Sequence, residues 1–442
     1  MSDARRTRLL DGPILKTLAV LAVPNIAASF LQSGMSVVEG AYLGWLGTVE
    51  LAGVALVFPL LMLTNMLSGG AIGGVVAGAT ARALGADDDA RAQEILRAAV
   101  LIALALATVM ALAILGFGRA LYGLLGGEGV VLEAADLYGD RLAAGIFTLW
   151  LFNVLASLLR GSGDTIRPAI ALGCVLVLHA VIAWVLIFPA GLGIAGAGLA
   201  MPLAYLFGTL GLSAWLLSGR AAVLVKPGPV TGRVLVPLLR QGTLAATQSA
   251  LTISMALIVT AIIGRLGTHW LAGYGIGARL ELLMIPVIFG VGGALIAMVG
   301  VNVGAGRRQR AIRVAWTGGA MAACIVGSIG LIGSVAPDLW GGLFTRDPET
   351  LAAVATYLGI VGPFYAFFGL GLCLYFASQG LGSMVWPVVG TLLRLLIVVA
   401  GGTALVATDA ATPQAVFAVV AAAMAFYGMF IVAALRLGPW RS

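Results

Sequence analysis

Residue 39 of this 442-residue chain is a glutamate inside the apolar stretch "SGMSVVEGAYLGWLG", residues 33 to 47. No Lys or Arg lies within twenty residues of it on either side. A carboxylate at bilayer depth costs on the order of 2.5–3.5 kcal/mol or more and is functional by default. Loss of hydration works against the charged form, so the chemistry such a group offers is loading and releasing a proton. His179, in "LVLHAVIAWVL", is the one histidine inside an apolar run. Unperturbed imidazole titrates near pH ~6.5. Glu39 and His179 are therefore a candidate relay, titrating as one unit. Gln32, Met35, Ser36 and Glu39 share a helix face by their spacing, and Asn153 is a further polar side chain in an apolar run. Glu39, His179, Gln32 and Asn153 form the expected coupling set. Met35, Ser36, Trp150, Ala183, Trp184 and Met201, with Gln248 from the second half, are the expected cavity lining. Aromatic and Met side chains suit flat lipophilic cations by cation–π contact and adaptable packing. Any one aromatic or Met taken alone reads better as ordinary core or lipid-facing packing.

The elements that must position these residues follow from composition. The chain is 61% hydrophobic and 10% charged, against about 25% charged in a soluble domain, so its solvent is a bilayer. Twelve runs are long enough to span: 16–43, 51–81, 94–117, 133–159, 167–190, 193–218, 234–263, 270–302, 312–336, 349–378, 385–407 and 412–436. The expected fold is an all-α polytopic membrane protein. A cytoplasmic N-terminus then puts 19 of the 25 Lys and Arg, Arg441 among them, on the cytoplasmic side. Four (Arg119, Arg141, Arg265 and Arg346) fall outside, and Arg279 and Arg394 fall within helices. This sorting also explains the net charge of +7, so no nucleic-acid partner is expected. The charged leader "MSDARRTRLLDGPILK" reads as cytoplasmic rather than as a cleaved signal.

The sequence repeats itself at an offset of 219 or 220 residues: "LGWLGTVELAG" with "IGRLGTHWLAG", "GADDDARA" with "GAGRRQRA", "RGSGDTIRP" with "QGLGSMVWP". Six spans per half is an even number, so the halves are parallel repeats about a pseudo-twofold axis along the membrane normal. The expected lobes are 1–225 and 226–442. Proteins built this way bind substrate between or within the halves and expose it alternately. Two histidines 90 residues apart, with no HExxH or GxSxG, argue against an enzyme. Cys174, Cys324 and Cys373 have no ligand spacing and read as packing residues, so no metal site is expected.

Pro24, the acid fifteen residues after it, "YLGWLGTVELAG", "LLRGSGDTIRP", "GIAGAGLA" and "GVNVGAG" together resemble the multidrug and toxic compound extrusion (MATE) family over nearly the whole chain. The absence of coupling acids from "ATQSALTISMALIV" and "FFGLGLCLYFASQ" is similar to its DinF-type prokaryotic branch. The resemblance implies a monomeric exporter of organic cations or drugs, driven by H+ or Na+ and set in the inner (plasma) membrane of a prokaryote with both termini cytoplasmic. It places Glu39 where the family usually has an essential Asp. The family's Asn and Asp on the fifth span are His179 and Ala183 here, and a Thr on the sixth is Met201. Three oxygen ligands for Na+ are thereby gone, so H+ is the expected ion, with no other cofactor. It also implies that the C-terminal half is not the ion site. The alternative is a lipid or lipid-linked oligosaccharide flippase of the same superfamily, which Arg279 and Arg394 keep open.

Overall fold

The computed structural model describes residues 3–408 and 410–438; Arg441 lies outside the described residues. Out of water, each backbone N–H and C=O must be satisfied within its own segment, and a helix does this. After a short α1 (Asp3–Asp11), twelve helices are long and apolar enough to span: α2 (Ile14–Leu46), α3 (Thr48–Gly85), α4 (Asp89–Leu124), α5 (Gly129–Gly161), α6 (Ile166–Ile187), α7 (Gly193–Leu217), α8 (Gly232–Gly264), α9 (Thr268–Gly304), α10 (Arg308–Val335), α11 (Pro348–Leu381), α12 (Val385–Ala407) and α13 (Pro413–Leu437). All twelve expected spans are present. Most run a few residues longer than their apolar stretch, because polar ends still form helix. Asp88, Asp347 and Thr412 cap α4, α11 and α13 by accepting from backbone N–H groups of the first turn.

Helices α2–α7 form one lobe and α8–α13 the other. Their internal packing matches: α2 on α6 as α8 on α12, and α5 on α7 as α11 on α13. The repeat is visible at single residues. A Cβ on Gly53 would meet that of Ala134 at 2.9 Å, and one on Gly273 would meet that of Ala353 at 2.4 Å. Gly163 (φ +75°) and Gly382 (φ +84°) end α5 and α11 with the same left-handed turn.

Arg436, in the last turn of α13, lies over the ring of Trp316 near the start of α10, 5.2 Å from its centroid. The beginning and end of the described chain thus share one end of the bundle, here called the terminal end. The hydrogen bonds that tie the lobes together gather in this half. Asn25 donates to Gly290 O at 3.5 Å, and Arg82 donates to Gln379 O at 3.0 Å and Gly380 O at 2.7 Å. α1 lies across the seam. Arg6 pairs with Asp87 and Arg5 with Asp164 of the first lobe. Asn302 and Arg307 of the second lobe donate to Leu9 O and Leu10 O, at 3.1 and 3.0 Å.

Candidate functional site

Glu39 sits two turns from the distal end of α2 and is 6% exposed. The hydroxyl of Tyr138 on α5 donates to its Oε1 at 2.6 Å. No described Lys or Arg forms a salt bridge with it. Tyr138 is fully buried and reaches Glu39 because α5 runs through the middle of the lobe against α3, α4 and α7. The site is thus a buried carboxylate held by one phenol, a geometry that can accept and release a proton without moving a counter-cation.

The remaining expected residues divide. Gln32 donates to Asn65 Oδ1 at 2.7 Å and Asn153 donates to Ser68 Oγ at 2.8 Å. Both partners are on α3, at or inside a wide π-turn, Met66–Ile72, a feature common at functional sites. These four side chains link α2, α3 and α5 on the side of the lobe that faces α8. The expected single face on α2 is split: Met35 and Glu39 are buried, whereas Ser36 is exposed. Ser36 lies at one edge of the roughly 100° arc that the four positions span, where the surface begins.

His179 is fully buried, and neither ring nitrogen has a hydrogen-bond partner among the described residues. Leu31 contacts Gly173 and Gly34 contacts Leu176, so the same register sets His179 level with Val37, about 3 Å along the axis from Glu39. The two are close in height but not hydrogen-bonded; the carboxylate's partner is Tyr138. Ala183 and Met201 are buried, as is Trp150, whose Nε1 has no hydrogen-bond partner among the described residues. Trp184 is 49% exposed, off the buried stripe Leu172, Val175, His179, Ala183 and Ile187, so it does not join the interior cluster. Gln248 is turned inward. It accepts from Thr391 Oγ1 at 2.7 Å and donates to Tyr427 at 3.5 Å, bonds that engage its amide inside the second lobe.

The second lobe holds a carboxylate arrangement that sequence reading missed. Tyr357, the repeat mate of Tyr138, donates to Glu281 on α9, as does Tyr365 at 3.2 Å. The repeat mate of Glu39 itself is Val259, which is buried. The lobe thus keeps the tyrosine but takes its acid from a different helix. Arg394, 4% exposed, lies between the rings of Phe368 and Tyr427, at 5.4 and 5.6 Å, and within electrostatic reach of Glu281. Arg279 is exposed and sits over Phe344, so only one of the two helix-borne arginines is buried. Of the cysteines, Cys174 and Cys324 are exposed and only Cys373 is a packing residue in the core.

The MatE family model matches residues 24–185 and 245–403, one segment in each lobe. The chain belongs to the MatE family. It is accordingly a transporter and not an enzyme. Its relatives include the FAD transporter of Shewanella oneidensis, 26% identical over 69% of this chain and 69% of that one. A probable multidrug resistance protein NorM of Thermotoga maritima is 23% identical over 86% and 83%. A solved MOP superfamily transporter from Pyrococcus furiosus, at 21% identity and TM-score 0.88 over 99% and 98% of the two chains, shares the fold. The MatE match begins at Pro24 and resumes at Ala245, repeat-equivalent stretches of α2 and α8.

Proposed function

We propose that this MatE protein is a secondary active exporter of lipophilic or cationic organic compounds, drugs among them, coupled to inward movement of H+ rather than Na+. The observation that carries the reading is the buried Glu39 carboxylate held by the Tyr138 hydroxyl at 2.6 Å, with no basic partner among the described residues. Substrate and proton must prefer different conformational states for one to drive the other. A carboxylate on α2, the helix that joins the first lobe to α9 of the second, is well placed to bias that choice. A phenol donor supports proton loading better than Na+ binding, which wants several oxygen ligands around the ion. PmpM from Pseudomonas aeruginosa is a multidrug resistance protein, and the Thermotoga maritima relative is a probable one. The basic residues of the terminal end support placing it in the cytoplasm and the protein in a prokaryotic plasma membrane. Lobes tied at that end then correspond to the outward-facing state.

The test is efflux from proteoliposomes under separately imposed H+ and Na+ gradients, with wild type and Glu39→Gln. The proton gradient alone should drive wild-type export, and Glu39→Gln should abolish it while inserting normally. Strict Na+ dependence, or full export by the variant, would overturn the reading. A second reading, an anionic cargo such as a dinucleotide or lipid-linked headgroup, is favoured by the buried guanidinium of Arg394 and by the Shewanella relative's name. It requires anionic cargo to compete with the cationic drug, with the competition lost in Arg394→Gln.

A further inference from the structure

A cavity of about 250 Å3 opens at the terminal end where α3, α4 and α8 meet. Its walls carry Arg82, Arg91 and Arg233 against a single acid, Asp88, and its floor is apolar, with Ile95, Val234 and Leu238. Asp88 is already engaged as the cap of α4, accepting from Arg91 N at 2.9 Å. The cavity therefore presents a surplus of guanidinium groups over an apolar floor. Both lobes build it, because Leu238 and Gly304 belong to the second, and Arg82 spans the seam to Gln379 and Gly380.

The pseudo-twofold axis shows what such a place accepts. Arg91 and Arg310 are repeat mates, as are Asp88 and Arg307, Gly85 and Gly304, and Leu238 and Leu18. On the Arg310 side, the position is filled by the chain's own leader. Arg310 donates to Gly12 O, and Arg307 donates to Leu10 O and to the Asp11 carboxylate. The leader's Leu9 and Leu10 are buried, and Leu9 O accepts from Asn302 of the second lobe. So one member of the pair holds oxygen acceptors above and an apolar segment below, both supplied in cis. The segment before α8 does not do the same on the Arg91 side. It runs over α4 instead, where Arg97 donates to Lys226 O at 2.8 Å and Thr231 N–H donates to Glu94 at 2.7 Å.

We propose that the Arg82–Arg91–Arg233 cavity binds the phosphate headgroup of an anionic phospholipid from the leaflet at the terminal end. The phosphate takes the place of Gly12 O, the leader oxygen that Arg310, the mate of Arg91, holds across the axis, and the upper acyl carbons lie on Ile95, Val234 and Leu238. Basic pockets between spanning helices are suited to such headgroups. Because the walls come from both lobes, the bound lipid holds the terminal end shut, as α1 does on the other side.

The experiment measures the thermal midpoint of the full-length protein in neutral detergent, titrated with phosphatidylglycerol, with phosphatidylcholine or with soluble glycerol 3-phosphate. Phosphatidylglycerol should raise the midpoint saturably, and the other two should not. Arg91→Gln/Arg233→Gln, both exposed positions, should lose on the order of tenfold in apparent lipid affinity. Arg240→Gln/Arg313→Gln removes the same charge from other exposed sites and should keep wild-type affinity. Equal loss in both double variants would reduce the effect to general surface charge and overturn the site. An equal response to phosphatidylcholine, or a full response to glycerol 3-phosphate, would overturn the assignment to an anionic lipid. The readout is binding, so it is independent of what the protein exports.

Discussion

At the scale of single residues, the proposed function rests on one hydrogen bond between two side chains 99 residues apart in sequence. A hydrogen bond to a charged group is worth about 1.5–3 kcal/mol, and about 1.4 kcal/mol is tenfold in an equilibrium. Tyr138→Phe removes that bond while keeping the ring that fills the core. The pH midpoint of proton-driven efflux should move by about one unit or more, with membrane insertion retained. A profile that overlays wild type would mean the phenol is only packing. Glu39 was legible in the sequence because a lone acid in an apolar run is conspicuous without any knowledge of packing. Tyr138 was not: nothing in the spacing of "AADLYGDRL" says which neighbour its hydroxyl meets. The same limit hid the Tyr357–Glu281 bond. The search for acids in the second lobe stopped at "ATQSALTISMALIV" and "FFGLGLCLYFASQ", whereas that lobe draws its carboxylate from α9.

At the scale of elements, the twelve spans were legible and α1 was not. A nine-residue helix leaves no mark in a hydropathy pattern, and "DARRTRLLD" reads as a charged leader. Its packing shows a different role. Leu9 is 1% exposed and lies against Gly163 of the first lobe, while its carbonyl accepts from Asn302 of the second. A buried Leu→Ala change typically costs about 2–5 kcal/mol. In Leu9→Ala that cost falls on the docking of α1, since the helix is peripheral to both lobes. Spin labels at residues 124 and 343, exposed positions at the distal end, would report it. Wild type should show one dominant separation, and Leu9→Ala should add a population with the distal ends closer together. An unchanged distribution would mean that α1 covers the seam without holding it. The π-turn of α3 was equally invisible in sequence, because "NMLSGGAI" is also compatible with plain α-helix. Its register shift is what aims Ser68 at Asn153.

At the scale of the whole molecule, the two lobes are held by a pair of mirrored contacts near the axis. A Cβ on Gly304 would lie 2.0 Å from Arg82 O, and one on Gly85 would lie 2.2 Å from Val301 O. In both cases the obstructing atom is helical backbone, which cannot rotate away. The sequence made "GAD" and "GAG" visible as repeat mates, but not that each glycine touches the opposite lobe, because periodicity carries no information on contacts across an axis. Overpacking at such a point costs about 1–3 kcal/mol, charged to the state in which the terminal end is closed. Gly304→Ala and Gly85→Ala should therefore each slow export about tenfold and, in the spin-label pair above, populate the same second separation. Each lobe should keep its helical circular dichroism. Gly275→Ala, at a position with nothing within 4 Å, should behave as wild type. The pair is the stringent part of the test. If closure is shared across the pseudo-twofold axis, the two variants must match in kind and approximately in size. A defect in one and silence in the other would show that a single lobe carries the hinge, and the mirrored contacts would then be packing without a part in the conformational cycle.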